Sequence, residues 1–286
     1  MGFAVLYPEQ QRGNNANLCF NWFNTGDTQR DSGEALSIRQ MVVSMVAKHA
    51  IDPARIFVTG LSAGGAMTSV MLATYPEVFA GGAIIAGLPY GTAASIAEAF
   101  DRMRAHGGPS AAALGALVTN ASPHKGPWPS ISVWHGESDA TVSHTNSTLI
   151  VEQWGALHGV PREPTAVEHV DGHLRNVWRD AHGRDVIEEY RIGGLGHGTP
   201  LSTSGANACG VVGPYMLEAG ISSTRRIAGF WDLGTAQAER RQEAPPPSQS
   251  MIVPTEHREA PSCPPRSSSH VEGIIEDALR AAGLMR

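Results

Sequence analysis

The stretch from Glu34 to Ala86 restricts the fold more than any other part of the chain, because the spacing of its apolar residues changes three times. Between Glu34 and Ala50 they recur at Leu36, Ile38, Met41, Val42, Met45 and Val46, the 3.6-residue period of an amphipathic helix. Asp52-Pro53 ends that pattern. Arg55 to Thr59 then reads as a strand, Ala63 to Tyr75 as a helix rich in Gly, Ala and Met, and Phe79 to Ala86 as a second apolar strand. Strands that are apolar on both faces, joined by helices, specify a parallel sheet covered on both sides, since parallel neighbours need a crossover connection. The core is α/β.

The remaining segments extend this pattern. Phe3 to Tyr7, closed by Pro8, reads as a short buried strand, and the loop that follows to Gly33 is long and carries Phe20, Trp22 and Phe23. Loops of that length are usually functional or disordered, and three aromatic residues indicate one packed near a site. Residues 89–129 lack a strand pattern and read as a helical insertion, with helices over Ala93 to Met103 and Ala111 to Thr119. Ile131 to His135 restores the sheet, and Thr145 to His158 is helical. Thr165 to Val170, Leu174 to Trp178 and Val186 to Ile192 are separated by the turn signals Asp171-Gly172 and His182-Gly183, which predicts antiparallel hairpins at one end of the sheet. Ser222 to Trp231 is the last helix of a globular domain over residues 1–235. Residues 236–269 are rich in Pro and Ser and read as a disordered linker, and residues 270–286 regain helical spacing through Ile274, Ile275, Ala278, Leu279 and Ala282.

Composition excludes several classes of function. Formal charge is −6, and the 21 basic residues include two lysines, Lys48 and Lys125, with no cluster larger than a pair, so no nucleic-acid footprint is present. The richest apolar stretch, Val78 to Leu88, falls short of the roughly 18 residues that a membrane span needs. Cys19, Cys209 and Cys263 fit neither a disulfide framework nor a metal knuckle. Met1-Gly2-Phe3 shows no basic leader or cleavage site, so the expectation is a cytoplasmic protein or one whose N-terminus is incomplete.

The chemistry centres on Gly60-Leu61-Ser62-Ala63-Gly64. A G-x-S-x-G sequence is weak alone, but between an apolar strand and a small-residue helix it fits a nucleophile elbow. Ser62 would present its hydroxyl at the carboxyl end of the sheet, and the Ala63 amide at the helix N-terminus would face a developing oxyanion. A serine hydroxyl needs an imidazole to take its proton and a carboxylate to orient that imidazole, in the chain order Ser, acid, His. His197, in the glycine-rich loop after the strand ending at Ile192, is the candidate base. The turn after Ile131 to His135 offers two acids, Asp139, which is preferred, and Glu137. His169 and His173 flank a hairpin turn and lack a third ligand, so no metal is expected. Trp22 and Trp134 are candidates to line the acyl or polymer groove, although strand packing explains Trp134 equally well.

Tyr7-Pro8-Glu9-Gln10, Cys19-Phe20-Asn21-Trp22-Phe23, Gly60 to Gly65, Gly87-Leu88-Pro89-Tyr90-Gly91, Val133-Trp134-His135-Gly136 with Asp139, Gly196-His197-Gly198 and Gly213-Pro214-Tyr215-Met216 together resemble the esterase/polyhydroxybutyrate (PHB) depolymerase family, which is related to feruloyl and acetylxylan esterases. The resemblance covers about residues 1 to 235. It implies an α/β-hydrolase-like, mainly parallel sheet flanked by helices, and a serine esterase without cofactor. The implied triad is Ser62, Asp139 and His197, acting through an acyl-enzyme on poly(3-hydroxybutyrate)-type polyesters or their oligomers. Feruloyl or acetylxylan esters are the alternative substrates. Many members are extracellular. Relative to the family pattern the chain reads as N-terminally shortened: strands upstream of Phe3, with a His-Gly loop that supplies a second oxyanion amide, have no counterpart. Loss of one such donor costs about 2.7–4 kcal/mol of transition-state stabilisation, so a catalytically impaired hydrolase-fold protein is a further expectation.

Overall fold

Apolar strands that must be covered on both faces leave few arrangements open, and the chain adopts one of them. In the computed structural model, which describes residues 2–233, the elements run in the order α1 (Thr25–Thr28), α2 (Gly33–Lys48), β1 (Phe57–Leu61), α3 (Ala63–Thr74), β2 (Gly81–Ile85), α4 (Ile96–Met103), α5 (Ala111–Ala121), β3 (Ser130–Gly136), α6 (Thr145–His158), β4 (Ala166–Val170), β5 (His173–Arg179), β6 (Asp185–Ile192), β7 (Thr199–Leu201), β8 (Met216–Glu218) and α7 (Ser223–Phe230). Ala4–Trp231 form one compact unit.

Six strands make one sheet in the order β1-β2-β3-β6-β5-β4. The first four are parallel and in register, with Leu61, Ile85, Trp134 and Tyr190 side by side. Their carboxyl ends therefore share one edge of the sheet. The last strands are antiparallel, as the turn signals predicted. Asp171 and Gly172 both take positive φ, 51° and 86°, which is the backbone of a type I′ hairpin turn.

The core follows from the helical and strand periods. Ala35, Ile38 and Val42 of α2, Met67, Val70, Met71 and Leu72 of α3, and Ile150 and Trp154 of α6 are buried against Ile84, Ile131, Val133 and Ile187 of the sheet. α2 spans almost the predicted residues, but Met41 lies on its outer side with 37% exposure. The insertion holds two helices, α4 and α5, near the predicted positions.

Phe3 to Tyr7 is not a strand. It joins neither sheet, and Phe3, Val5 and Tyr7 are 47%, 52% and 83% exposed while Leu6 packs on the core. An apolar run becomes a strand only where a neighbour supplies free N–H and C=O groups, and this run pairs with no strand among the described residues. α1, β7 and β8 are three or four residues long, too short for a period to reveal them. The expected Pro/Ser-rich linker and C-terminal helix lie outside the described residues. Among those residues no helix is long and apolar enough to cross a membrane.

Candidate active site

The turn from β1 into α3 takes only one residue, and that residue is Ser62, with φ 58° and ψ −119°. Positive φ in a non-glycine residue costs of order 1–3 kcal/mol and persists only where the surroundings enforce it. Here they do. The Ser62 amide donates to the Ile85 carbonyl at 2.9 Å, which extends the β1–β2 pairing, and the Ser62 carbonyl accepts the Ala66 amide at 2.9 Å as the first bond of α3. Strand and helix meet so closely that a Cβ on Gly60 would overlap the Gly64 carbonyl. The two glycines of the motif are not equivalent, however. A Cβ on Gly64 meets nothing within 4 Å outside its own helix. The Ala63 amide stands in the first turn of this 12-residue helix, where N–H groups lack intrahelical acceptors.

Asp139 and His197 are brought together from two other loops on the same edge. Beyond β3 the chain turns so that the Asp139 side chain is fully enclosed. Its Oδ1 accepts the Thr141 and Val142 amides, both at 2.9 Å. Its Oδ2 accepts a hydrogen bond from His197 Nδ1 at 2.7 Å. His135 lies on the other side, with Nε2 3.4 Å from the same oxygen and 2.9 Å from the Val142 carbonyl. A carbonyl can only accept, so His135 Nε2 carries a proton. Burial pushes the Asp139 pKa up, but the hydrogen bonds from His135 and His197, the positive charge His197 can carry and the Val142 amide outweigh it. They hold the carboxyl well below the usual carboxylate range. Asp139 is therefore a buried carboxylate with two histidine partners, His197 and His135. Glu137, the other acid in this turn, is exposed.

His197 meets Asp139 because its loop folds back over the end of the neighbouring strand β3. The Ser138 amide donates to the Leu195 carbonyl at 3.0 Å, and a Cβ on Gly136 would strike the Leu195 and Gly196 carbonyls. Residues 193–198 thus leave β6 and reach the end of β3, one strand nearer to β1. Strands about 4.8 Å apart put the ends of β1 and β6 roughly 14 Å from each other, and the fold of this loop onto β3 takes up one of those three strand spacings. The ring of Tyr215 stands edge-on to His197, with centroids 6.2 Å apart and planes at 80°.

The two tryptophans have different surroundings. Trp134 is fully buried, stacked on Tyr190 with centroids 3.8 Å apart, and its Nε1 donates to Ser132 Oγ at 2.8 Å. It cannot line a groove, and the expectation for that residue is corrected. Both faces of β3 are covered, so Trp134 is interior like its neighbours Val133 and His135. Trp22 keeps 8% exposure and packs with Ala66, Leu88, Ala99 and Val142, with Ala63 at the margin, so it backs the first turn of α3 from the long loop. Glu34 ties that loop down by accepting from the Asn21 amide at 2.8 Å, Asn21 Nδ2 at 2.9 Å and Gln10 Nε2. Sequence reasoning passed over His135, Glu34 and Tyr215 as site residues. The four-residue step from His135 to Asp139 across Gly136 was the available signal for the first.

A four-strand parallel arrangement with a strained serine turn after its first strand, and an acid and a histidine after its third and fourth, is the architecture of the α/β-hydrolase fold. The model of the family described as Esterase PHB depolymerase matches residues 1–171. Poly(3-hydroxyalkanoate) depolymerase C of Paucimonas lemoignei is 48% identical over 233 residues, which is 81% of this chain and 56% of that protein. An acetylxylan esterase of Coprinopsis cinerea is 31% identical over 207 residues, 70% of this chain and 54% of that protein. Among solved structures, an acetyl xylan esterase from Aspergillus awamori aligns with a TM-score of 0.56 at 23% identity, covering 63% of this chain and 68% of that one, and shares the fold. The chain belongs to the esterase PHB depolymerase family. It spans about half the length of the curated relatives it matches.

Proposed function

We propose that the protein is a serine esterase that cleaves poly(3-hydroxyalkanoate)-type polyesters or their oligomers. The observation that carries this is the hydrogen-bonded pair of Asp139 and His197, held on the sheet edge where Ser62 occupies a strained elbow. In the first half-reaction Ser62 Oγ attacks the ester carbonyl carbon while His197 Nε2 takes the hydroxyl proton. Nδ1 keeps its own proton on Asp139 Oδ2, which fixes the tautomer that leaves Nε2 free to accept. The Ala63 amide donates to the oxyanion. Collapse of the tetrahedral intermediate breaks the bond to the leaving alcohol, which receives the proton from His197. Water then adds to the acyl-enzyme with His197 again as base, and the hydroxy acid departs as Ser62 regains its proton.

A polyester is favoured over acetylxylan as substrate by the 48% identity to the depolymerase, against 31% to the acetylxylan esterase. Trp22 is assigned to the wall behind the nucleophile. Purified protein should hydrolyse p-nitrophenyl butyrate and release soluble hydroxy acid from poly(3-hydroxybutyrate) particles faster than acetate from acetylxylan. Ser62→Ala and His197→Ala should each abolish ester hydrolysis and labelling by a fluorophosphonate probe. Undiminished turnover by folded Ser62→Ala would reject the assignment, and preferential release of acetate would reject the substrate.

A further inference from the structure

The segment Gly213-Pro214-Tyr215-Met216 folds as a two-residue turn, with the Met216 amide donating to the Gly213 carbonyl at 2.9 Å and the Gly213 amide to the Met216 carbonyl at 3.1 Å. Proline fixes the second position of the turn at negative φ, and Tyr215 in the third has φ 58°. That is the signature of a type II turn, whose third position strongly favours glycine because a Cβ there is strained. A bulky aromatic residue is among the least suited to it. The turn chemistry therefore predicts glycine, and the chain carries tyrosine.

In this turn the Tyr215 side chain makes contact with His197. The rings meet edge-to-face at 6.2 Å and 80°, inside the range at which aromatic pairs attract. The backbone holds Tyr215 to the same loop: the Thr199 amide donates to the Tyr215 carbonyl at 2.7 Å, and Thr199 pairs with Met216 where β7 runs beside β8. Both the ring and the main chain of Tyr215 are thus fixed relative to residues 197–199. One hydrogen bond from Nδ1 to Asp139 holds the imidazole at one atom and does not by itself set its rotation about that bond. A contact on the ring restricts that rotation.

We infer that Tyr215 is a positioning residue: its ring confines the His197 imidazole so that Nδ1 remains on Asp139 and Nε2 stays available as the base for Ser62. This role rests on His197 as the base of the proposed esterase. Tyr215→Gly separates it from plain packing, because glycine suits the turn and removes the ring. The full chain carrying Tyr215→Gly should melt at or above the wild-type temperature, yet lose roughly 10- to 100-fold in kcat for p-nitrophenyl butyrate with KM within about threefold. Fluorophosphonate labelling should slow by a similar factor. Tyr215→Phe, which keeps the ring, should retain kcat within about threefold. Tyr215→Asn also tolerates positive φ and provides the same comparison if the glycine variant does not fold. Wild-type kcat in folded Tyr215→Gly or Tyr215→Asn would overturn the inference, as would a loss in Tyr215→Phe equal to that in Tyr215→Gly. A lowered melting temperature with labelling unchanged would assign the residue to packing. His197→Ala distinguishes the two levels: if it leaves labelling intact, the base assignment itself fails, whereas loss of labelling there with none in Tyr215→Gly fails the positioning role alone.

Discussion

Replacing Asp139 by asparagine changes one atom type, and the surrounding hydrogen bonds decide which atom. Oδ1 accepts two backbone amides, from Thr141 and Val142, and amides can only donate. The side-chain carbonyl of the introduced asparagine must remain there, because turning the amide over would set NH₂ against two N–H groups in a buried site at a cost of about 1–3 kcal/mol for each unsatisfied donor. The NH₂ group is then forced onto the position of Oδ2, 2.7 Å from His197 Nδ1. To meet a donor, Nδ1 must give up its proton, which moves to Nε2, the atom that must accept from Ser62. The wrong tautomer of this kind lowers kcat by about 10,000-fold, equivalent to about 5.4 kcal/mol in the barrier. Initial rates on p-nitrophenyl butyrate, with circular dichroism to check folding, read the effect directly. Glu137→Gln is the control, since Glu137 is exposed and its loss should leave kcat/KM within about twofold. A folded Asp139→Asn variant within tenfold of wild type would refute the assignment of the tautomer and of the acid together.

Two further predictions concern stability. Gly60→Ala drives a methyl group into the Gly64 carbonyl and should cost at least about 3 kcal/mol. Gly64→Ala points into open space and should change stability by less than about 1 kcal/mol, tending upward because alanine is the better helix former; equal urea midpoints for the two variants would contradict the packing described. The depressed Asp139 carboxyl stabilises the fold fully above the ordinary aspartate pKa of about 3.9, and this contribution is lost as pH falls below it toward the folded value. The stability advantage of wild type over Asp139→Asn in urea titrations should therefore be constant near pH 7 and shrink on acidification below about pH 4. A gap independent of pH would show that the charge on Asp139 does not couple to folding.

Much of the architecture was legible because it depends on local periods. The change from 3.6-residue to strand spacing located α2, β1, α3 and β2 within a few residues, and α6 ends where its apolar pattern ends. The turn residues Asp171 and Gly172 marked the hairpin because few residues tolerate positive φ. The conformation of Phe3 to Tyr7 was not legible: its apolarity is a local property, but strand pairing requires a partner elsewhere in the chain. The same holds for Trp134, since a tryptophan on β3 is compatible with either a groove or the interior until the stack with Tyr190 is known.

The amino-acid sequence by itself determined an α/β body, a serine at a strand–helix turn, and an acid and a histidine each following a strand. These are consequences of spacing and residue type. Tertiary structure decided which acid is enclosed, as Asp139 is buried and bonded to His197 while Glu137 faces solvent. It also revealed the contact between Tyr215 and His197. Residues 58 and 18 positions apart along the chain meet only because β3 and β6 are neighbours in the sheet and β7 pairs with β8. Desolvation and hydrogen-bond direction act through distances in space, and no local pattern encodes them.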